Sequence, residues 1–559
     1  MFEPTPQHVK TKIDNFLANY EEGRDLIKNA ESWDTPVHKI EGADESAPDN
    51  WLGVVDEVLR ILAHDKYGLD TYPNNIEVID TERMLDANAK IGLPIMYDHW
   101  TFGMAREQID RQFKQGKMGL ALEIILNTNP AIAYLMEGNS KTAQTLVIAH
   151  ASYGHNNFFK KNKMFTEFSE ADDILFALRQ LKNSVKEAEQ NYGFQRVEHL
   201  LDACHAMESH GVDRHVKQGV MSKDEKQAHA REVEQAKAQL EDPVLEATAG
   251  PAFKRVAADN DYAVHQNQLA YREENLMRFF ADNAPHLEEW ERDIIRQISY
   301  KAQYFYPQKQ TKVMNEGWAS FWHYSLMYDL EELDLIDSGM VQEFLNLHSN
   351  VIAQPDFDNQ RYSGMNPYTL GLRIFEDLKR ICQDPTEEDY RWFPQYAGRE
   401  DWLNVLTHAR DNFKDESFVL QFLSPKVIRD FSLFALRDDD EDLVYEVTGI
   451  HNDSGYQKIR EAMASQYRLS EQDPYIVAGE YDYKGDRTLT LYHYQHKNRP
   501  LDMQEMDEVL RHMYQLWQHP VHLESYDENG ACVNALSCPE DHTKQGRRLR
   551  PQAVRPNTP

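Results

Sequence analysis

Apolar residues recur along most of this chain at the three- and four-residue spacing of helices that bury one face. Trp51, Val54, Val55, Val58, Leu59 and Leu62 share one side of a helix expected over Trp51–His64. The same spacing predicts helices over Val9–Lys28, Thr81–Ala89, Glu170–Leu200 with a break near Gly193, Glu273–Phe305, Lys312–Leu330, Val341–Asn350, Pro367–Ile381 and Ser417–Phe434. Pro307 is expected to separate Glu273–Phe305 from Lys312–Leu330. Ile76–Ile79 reads as a short strand. Two apolar runs, Ala121–Leu126 and Ala131–Leu135, flank an Asn/Pro turn and predict a β-hairpin, with a broken helix as the alternative. Ser140 or Thr142 is placed to cap the helix that follows.

The pattern changes at the acidic run Asp438–Asp442. Beyond it come a strand over Leu443–Ile450, a helix over Gly455–Tyr467, a hairpin formed by Tyr475–Tyr483 and Arg487–Tyr494, a helix over Met503–Trp517 and a strand over Val521–Ser525. That βαββαβ order is the ferredoxin-like one. The expected class is therefore α+β: residues 1–437 mainly helical with a small β-hairpin or sheet element, a ferredoxin-like module over 438–529, and a Pro/Arg-rich disordered tail over 530–559. Residues 210–249 are highly charged and read as an exposed insertion.

Composition narrows the possible functions. Lys and Arg number 60 against 93 Asp and Glu, a net charge of −33. So acidic a chain is unsuited to broad nucleic-acid binding. No apolar run approaches the ~18 residues of a membrane span. The first ten residues carry no apolar signal segment, and four scattered cysteines fit a reducing cytoplasm. Neither a phosphate-binding Gly-x-x-x-x-Gly-Lys loop nor a Gly-x-Gly-x-x-Gly turn is present. Oligomeric state is not legible.

Candidate chemistry sits where polar groups interrupt apolar helices. Met314–Tyr324 places Glu316 and His323 seven residues apart, two helical turns, on one face. Leu146–Phe159 carries His150 and His155. Glu198, Asp202 and His205 share a face of a third helix. Buried groups of these types need partners. Two neutral imidazoles and a carboxylate suit one transition-metal ion, with zinc first and iron or manganese as alternatives. The expected ligands are His150, His155 and Glu316, with His323 or Glu198 as an orienting or acid/base group. The alternatives are hydrogen-bonded core histidines, a buried ion pair at Glu316 and a solvated face at Glu198. Spacing is an obstacle: five residues turn an α-helix about 140° off one face, so His150 and His155 need a π-bulge or a helix end at Gly154.

Several stretches together resemble the stage V sporulation protein R (SpoVR) family: Tyr67–Asn74, Tyr97–Gly103, Ile148–Phe159, Ala302–Tyr324, Asn366–Gly371 and Asp415–Phe431. The resemblance implies a link to spore-cortex assembly in spore formers, and to stationary phase and stress elsewhere. It also implies a PrkA-type serine kinase and a von Willebrand-like protein as partners. It carries no catalytic residues. Two functions stand open: a metal-dependent, zincin-like hydrolase of the peptidase or amidase type, or a non-enzymatic stress-pathway adaptor that docks the kinase.

Overall fold

Helix starts are written into the chain as capping side chains. Asn50, Asp80, Ser140, Asp337, Asn366 and Ser424 each accept a hydrogen bond from the first turn of the helix that follows. The computed structural model describes residues 3–114, 122–215, 273–355, 359, 362, 364–433, 435–437, 446–449, 452–481, 485–538 and 552–553. Most of the charged 210–249 stretch and the acidic run 438–442 therefore lie outside the described residues. Among those described, no helix is long and apolar enough to cross a membrane.

The chain forms two compact units, residues 1–187 with 304–472, and residues 188–303 with 473–559. The first is built on the helix Lys312–Glu332, which carries fourteen buried residues and has no polar side. It is a core rod, wrapped by Leu62–Lys66, Lys141–Ile148, Pro367–Gln383 and Asp415–Phe422. Its closest neighbour is Pro367–Gln383, and the approach needs two glycines. A Cβ on Gly317 would fall 2.3 Å from the Gly371 carbonyl carbon, and one on Gly371 would fall 2.0 Å from the Val313 oxygen. The N-terminal end of the rod is tied down by Asp415, whose carboxylate accepts from the Val313 and Met314 amides at 2.8 and 2.9 Å.

The expected hairpin is present. Glu123–Leu126 and Ala131–Met136 pair antiparallel, and Asn74–Ile79 joins parallel to the second. Ala131–Met136 is thus the central strand and Glu123–Leu126 an edge. Pro307 does not divide two helices, because it sits in the last turn of Glu289–Gln310, and the break falls at Thr311.

The second unit holds a sheet in the order Tyr475–Tyr481, Leu489–Tyr494, Val521–Tyr526, Cys532–Cys538 and Gln552–Ala553. Helix Met503–Trp517 is the crossover between the parallel pair Leu489–Tyr494 and Val521–Tyr526. It buries Met506, Leu510, Met513 and Trp517. The βαββαβ element order and the α+β class stand, but the partition differs from expectation. Strand Glu446–Gly449 pairs with Ala435–Arg437, and helix Asp453–Ser465 packs on Asp415–Phe422, so both belong to the first unit. The division falls after Gln472. Cys532–Cys538 is a strand, not part of a disordered tail, because it pairs antiparallel with Val521–Tyr526.

Candidate metal centre

The spacing obstacle is removed by the backbone itself. Lys141–Ile148 runs into a π-helical stretch, Ala149–His155, and returns to α-helix at Asn156–Lys161. Hydrogen bonds from i to i+5 widen the turn, so residues five apart stack. The His150 and His155 rings lie with centroids 4.5 Å apart. Gly154 permits this: a Cβ there would fall 2.5 Å from the Ala319 Cα, so the widened turn rests directly on the Lys312–Glu332 rod. The next two residues anchor it. Asn156 exchanges hydrogen bonds with the Tyr72 backbone at 2.8 and 2.9 Å, and Asn157 donates to Asp70 O and accepts from the Trp318 indole.

His150 sits between two turns of the rod. Its Nδ1 is 2.8 Å from His323 Nδ1, while its Nε2 is 3.8 Å from Glu316 Oε2. His155 Nε2 approaches the same oxygen to 3.4 Å. All three donor atoms lie within 4.8 Å of one another. These gaps are long for hydrogen bonds. They match donors that each sit ~2.0–2.1 Å from a common tetrahedral ion and so ~3.4 Å from one another. Glu316 Oε2 is buried and makes no hydrogen bond to any described residue. An orphaned carboxylate oxygen facing two imidazole nitrogens is the arrangement a cation satisfies.

Protonation supports the same fit. Burial pushes His155 down to about 4, His348 down to about 4, and His323 well below the ordinary histidine range. These three imidazoles are neutral, and for His155 that is what ligation requires. Burial would raise the Glu316 carboxyl, but His155, His150 and the Tyr368 hydroxyl outweigh it and hold the group below its usual value. His155 Nδ1 lies 2.9 Å from Asn315 Oδ1, an acceptor, so Nδ1 carries the proton and Nε2 is bare. His323 Nε2 lies 2.7 Å from His348 Nδ1. If each ring in the row His150–His323–His348 donates outward, His150 Nε2 is bare as well.

The structure thus gathers His150, His155 and Glu316 from the expected set. His323 is fully buried behind His150, where it orients that ring and reaches no open position. Glu198, with Asp202, lies on Phe194–Ala206 in the second unit and is not part of the cluster. Sequence reasoning missed Asn315, His348, Tyr368 and Glu123. Glu123 had a signal, an acid inside the apolar run Leu122–Leu126. Its Oε1 is 3.9 Å from His150 Nε2, and burial raises its carboxyl. His348, on an ordinary amphipathic helix, Ser338–Val351, had none.

The comparisons with known proteins agree with the stretches singled out in the sequence. Residues 50–472 match the model of SpoVR like proteins, and residues 474–528 match that of the SpoVR-like C-terminal domain. The two matches meet where the compact units divide. The chain is 44% identical over 494 residues to the uncharacterized protein YcgB of Escherichia coli (strain K12), covering 88% of this chain and 94% of that one. No solved structure matches. On matches that span nearly its whole length, the chain belongs to the SpoVR family.

Proposed function

We propose that this protein is a metal-dependent hydrolase whose ion is held by His150 Nε2, His155 Nε2 and Glu316. The observation that carries the reading is Glu316 Oε2, buried, without a hydrogen bond, and 3.4 and 3.8 Å from two imidazole nitrogens. Two imidazoles and one carboxylate, with further coordination open, are a donor set of hydrolytic zinc sites; iron and manganese are compatible with it. When bound, such an ion polarises a carbonyl and activates water. His323 and Asn315 hold the ligand rings, and the Tyr368 ring stacks against His150. A peptide or other amide is the favoured substrate class. Strand Glu123–Leu126 is the edge of its sheet and pairs on its outer side with no described strand, so it offers backbone groups to an extended chain beside the cluster. In the cell, this activity would belong to the envelope or stationary-phase programmes that the family implies, with a PrkA-type kinase and a von Willebrand-like protein as partners.

The test uses zinc-loaded full-length protein and a pool of quenched fluorescent peptides. Cleavage should vanish on chelation, return with zinc, and be absent in Glu316→Gln. Cleavage that survives in Glu316→Gln, or that ignores chelation, removes this reading. The adaptor function would then be the better account.

A further inference from the structure

The site lacks an acid on its own metal-binding helix: Ala151 follows His150, and no carboxylate occurs between His150 and His155. The missing group stands on another element. Glu123, at the start of the edge strand, brings Oε1 to 3.9 Å from His150 Nε2, the nitrogen that Glu316 Oε2 approaches to 3.8 Å from its own side. Glu123 remains outside the trio whose donor atoms all lie within 4.8 Å of one another. Its carboxylate takes no hydrogen bond from any described residue. It is also the most open of the four side chains. Glu123 is 20% exposed, against 16% for Glu316, 9% for His155 and 4% for His150. Among these four side chains Glu123 is therefore the one that faces solvent most.

We infer that Glu123 is the general base of the site, an assignment that rests on the metal-dependent reading above. The attacking water forms the new C–O bond and passes a proton to Glu123. Glu123 then delivers that proton to the leaving nitrogen as the C–N bond breaks. A carboxylate next to the ligands but outside their set is placed for this work, whereas Glu316, with Oε2 facing both imidazoles, is placed to bind.

The assignment is testable without a known substrate. Acetohydroxamic acid binds a hydrolytic zinc ion through two oxygens as its hydroxamate anion, its proton passing to a neighbouring carboxylate. Glu123→Gln and Glu123→Ala, each full length and zinc-loaded, are compared with wild type by elemental analysis and calorimetry. Both variants should keep one zinc per chain and bind acetohydroxamate about 10- to 100-fold more weakly, the loss of one charge-assisted hydrogen bond. Loss of zinc would make Glu123 a ligand and overturn the assignment. Unchanged acetohydroxamate affinity would make it a bystander, and a wild type that holds zinc but not acetohydroxamate would show no open position. Either result overturns the base while leaving the metal site. A wild type without zinc removes the metal reading and this one with it.

Discussion

Gly317→Ala puts one methyl group where the fold and the candidate site share a contact. The new Cβ would lie 2.3 and 2.4 Å from the Gly371 C and Cα and 2.7 Å from the Leu372 N. All three are backbone atoms, so no side-chain rotation relieves the clash. Restoring carbon contact means parting the two helices by about 1 Å. Overpacking of this kind costs about 1–3 kcal/mol, occasionally more. Alanine in a helix regains about 1 kcal/mol over glycine. A net loss of up to about 2 kcal/mol is expected. Gly103 is the internal control, because it lies within the helix Trp100–Lys114, is exposed, and has open space around its Cβ position. Gly103→Ala should stabilise by about 0.5–1 kcal/mol, the opposite sign for the same chemical change. Urea unfolding of both variants, with slope and midpoint fitted separately, reads the difference. Gly317 adjoins Glu316, and Gly371 lies three residues after Tyr368, so zinc affinity should fall together with stability. If Gly317→Ala is as stable as Gly103→Ala and binds zinc as wild type does, the paired glycines do not frame the site.

Three further outcomes follow from groups buried in the first unit. Lys66 and Asp329 form an ion pair at 2.8 Å with side chains 3% and 2% exposed. Lys66→Met leaves a buried charge and should cost about 3–5 kcal/mol in urea unfolding, much of it recovered in Lys66→Met/Asp329→Leu. Burial raises Asp329 to about 6 despite Lys66. The folded value lies above the unfolded one, so the associated stability is full below about pH 4 and is lost as pH rises through about 6. Unfolding measured from pH 4 to 8 should show this slope in wild type and a flatter one in Asp329→Asn, and equal slopes would refute the assignment. His323→Phe keeps an aromatic ring at the position but removes the polar contact to His150. It should lower zinc affinity about 10- to 100-fold without abolishing binding, and unchanged affinity in a chelator competition would show that His323 orients nothing.

Much of the frame could be read before the structure was seen, and the reasons differ by element. Periodicity found the core rod because Val313, Met314, Trp318, Phe321, Trp322 and Leu326 leave it no polar side. It could not show the π-turn. Spacing offers a π-bulge or a helix end at Gly154 as equal remedies, and what accompanies the first is the contact of Gly154 with Ala319, residues 165 positions apart. Glu316 was legible as a charge in an aromatic run, and Glu123 belonged to the same class. The C-terminal element order was legible, but the partner of Glu446–Gly449 was not, because a four-residue strand specifies no neighbour. Cys532–Cys538 was hidden by the composition of the tail around it.

The account rests on one ion bound by residues from two helices. Elemental analysis of untagged wild type, Glu316→Gln and His155→Ala, beside their melting temperatures, tests it most directly. The prediction is one transition-metal ion per wild-type chain, most of it zinc, and none in either variant. Loss of the ion should cost stability, about 4 kcal/mol at a metal concentration ~1,000 times Kd. A wild type that carries no metal and gains no stability from added zinc, iron or manganese would contradict the account.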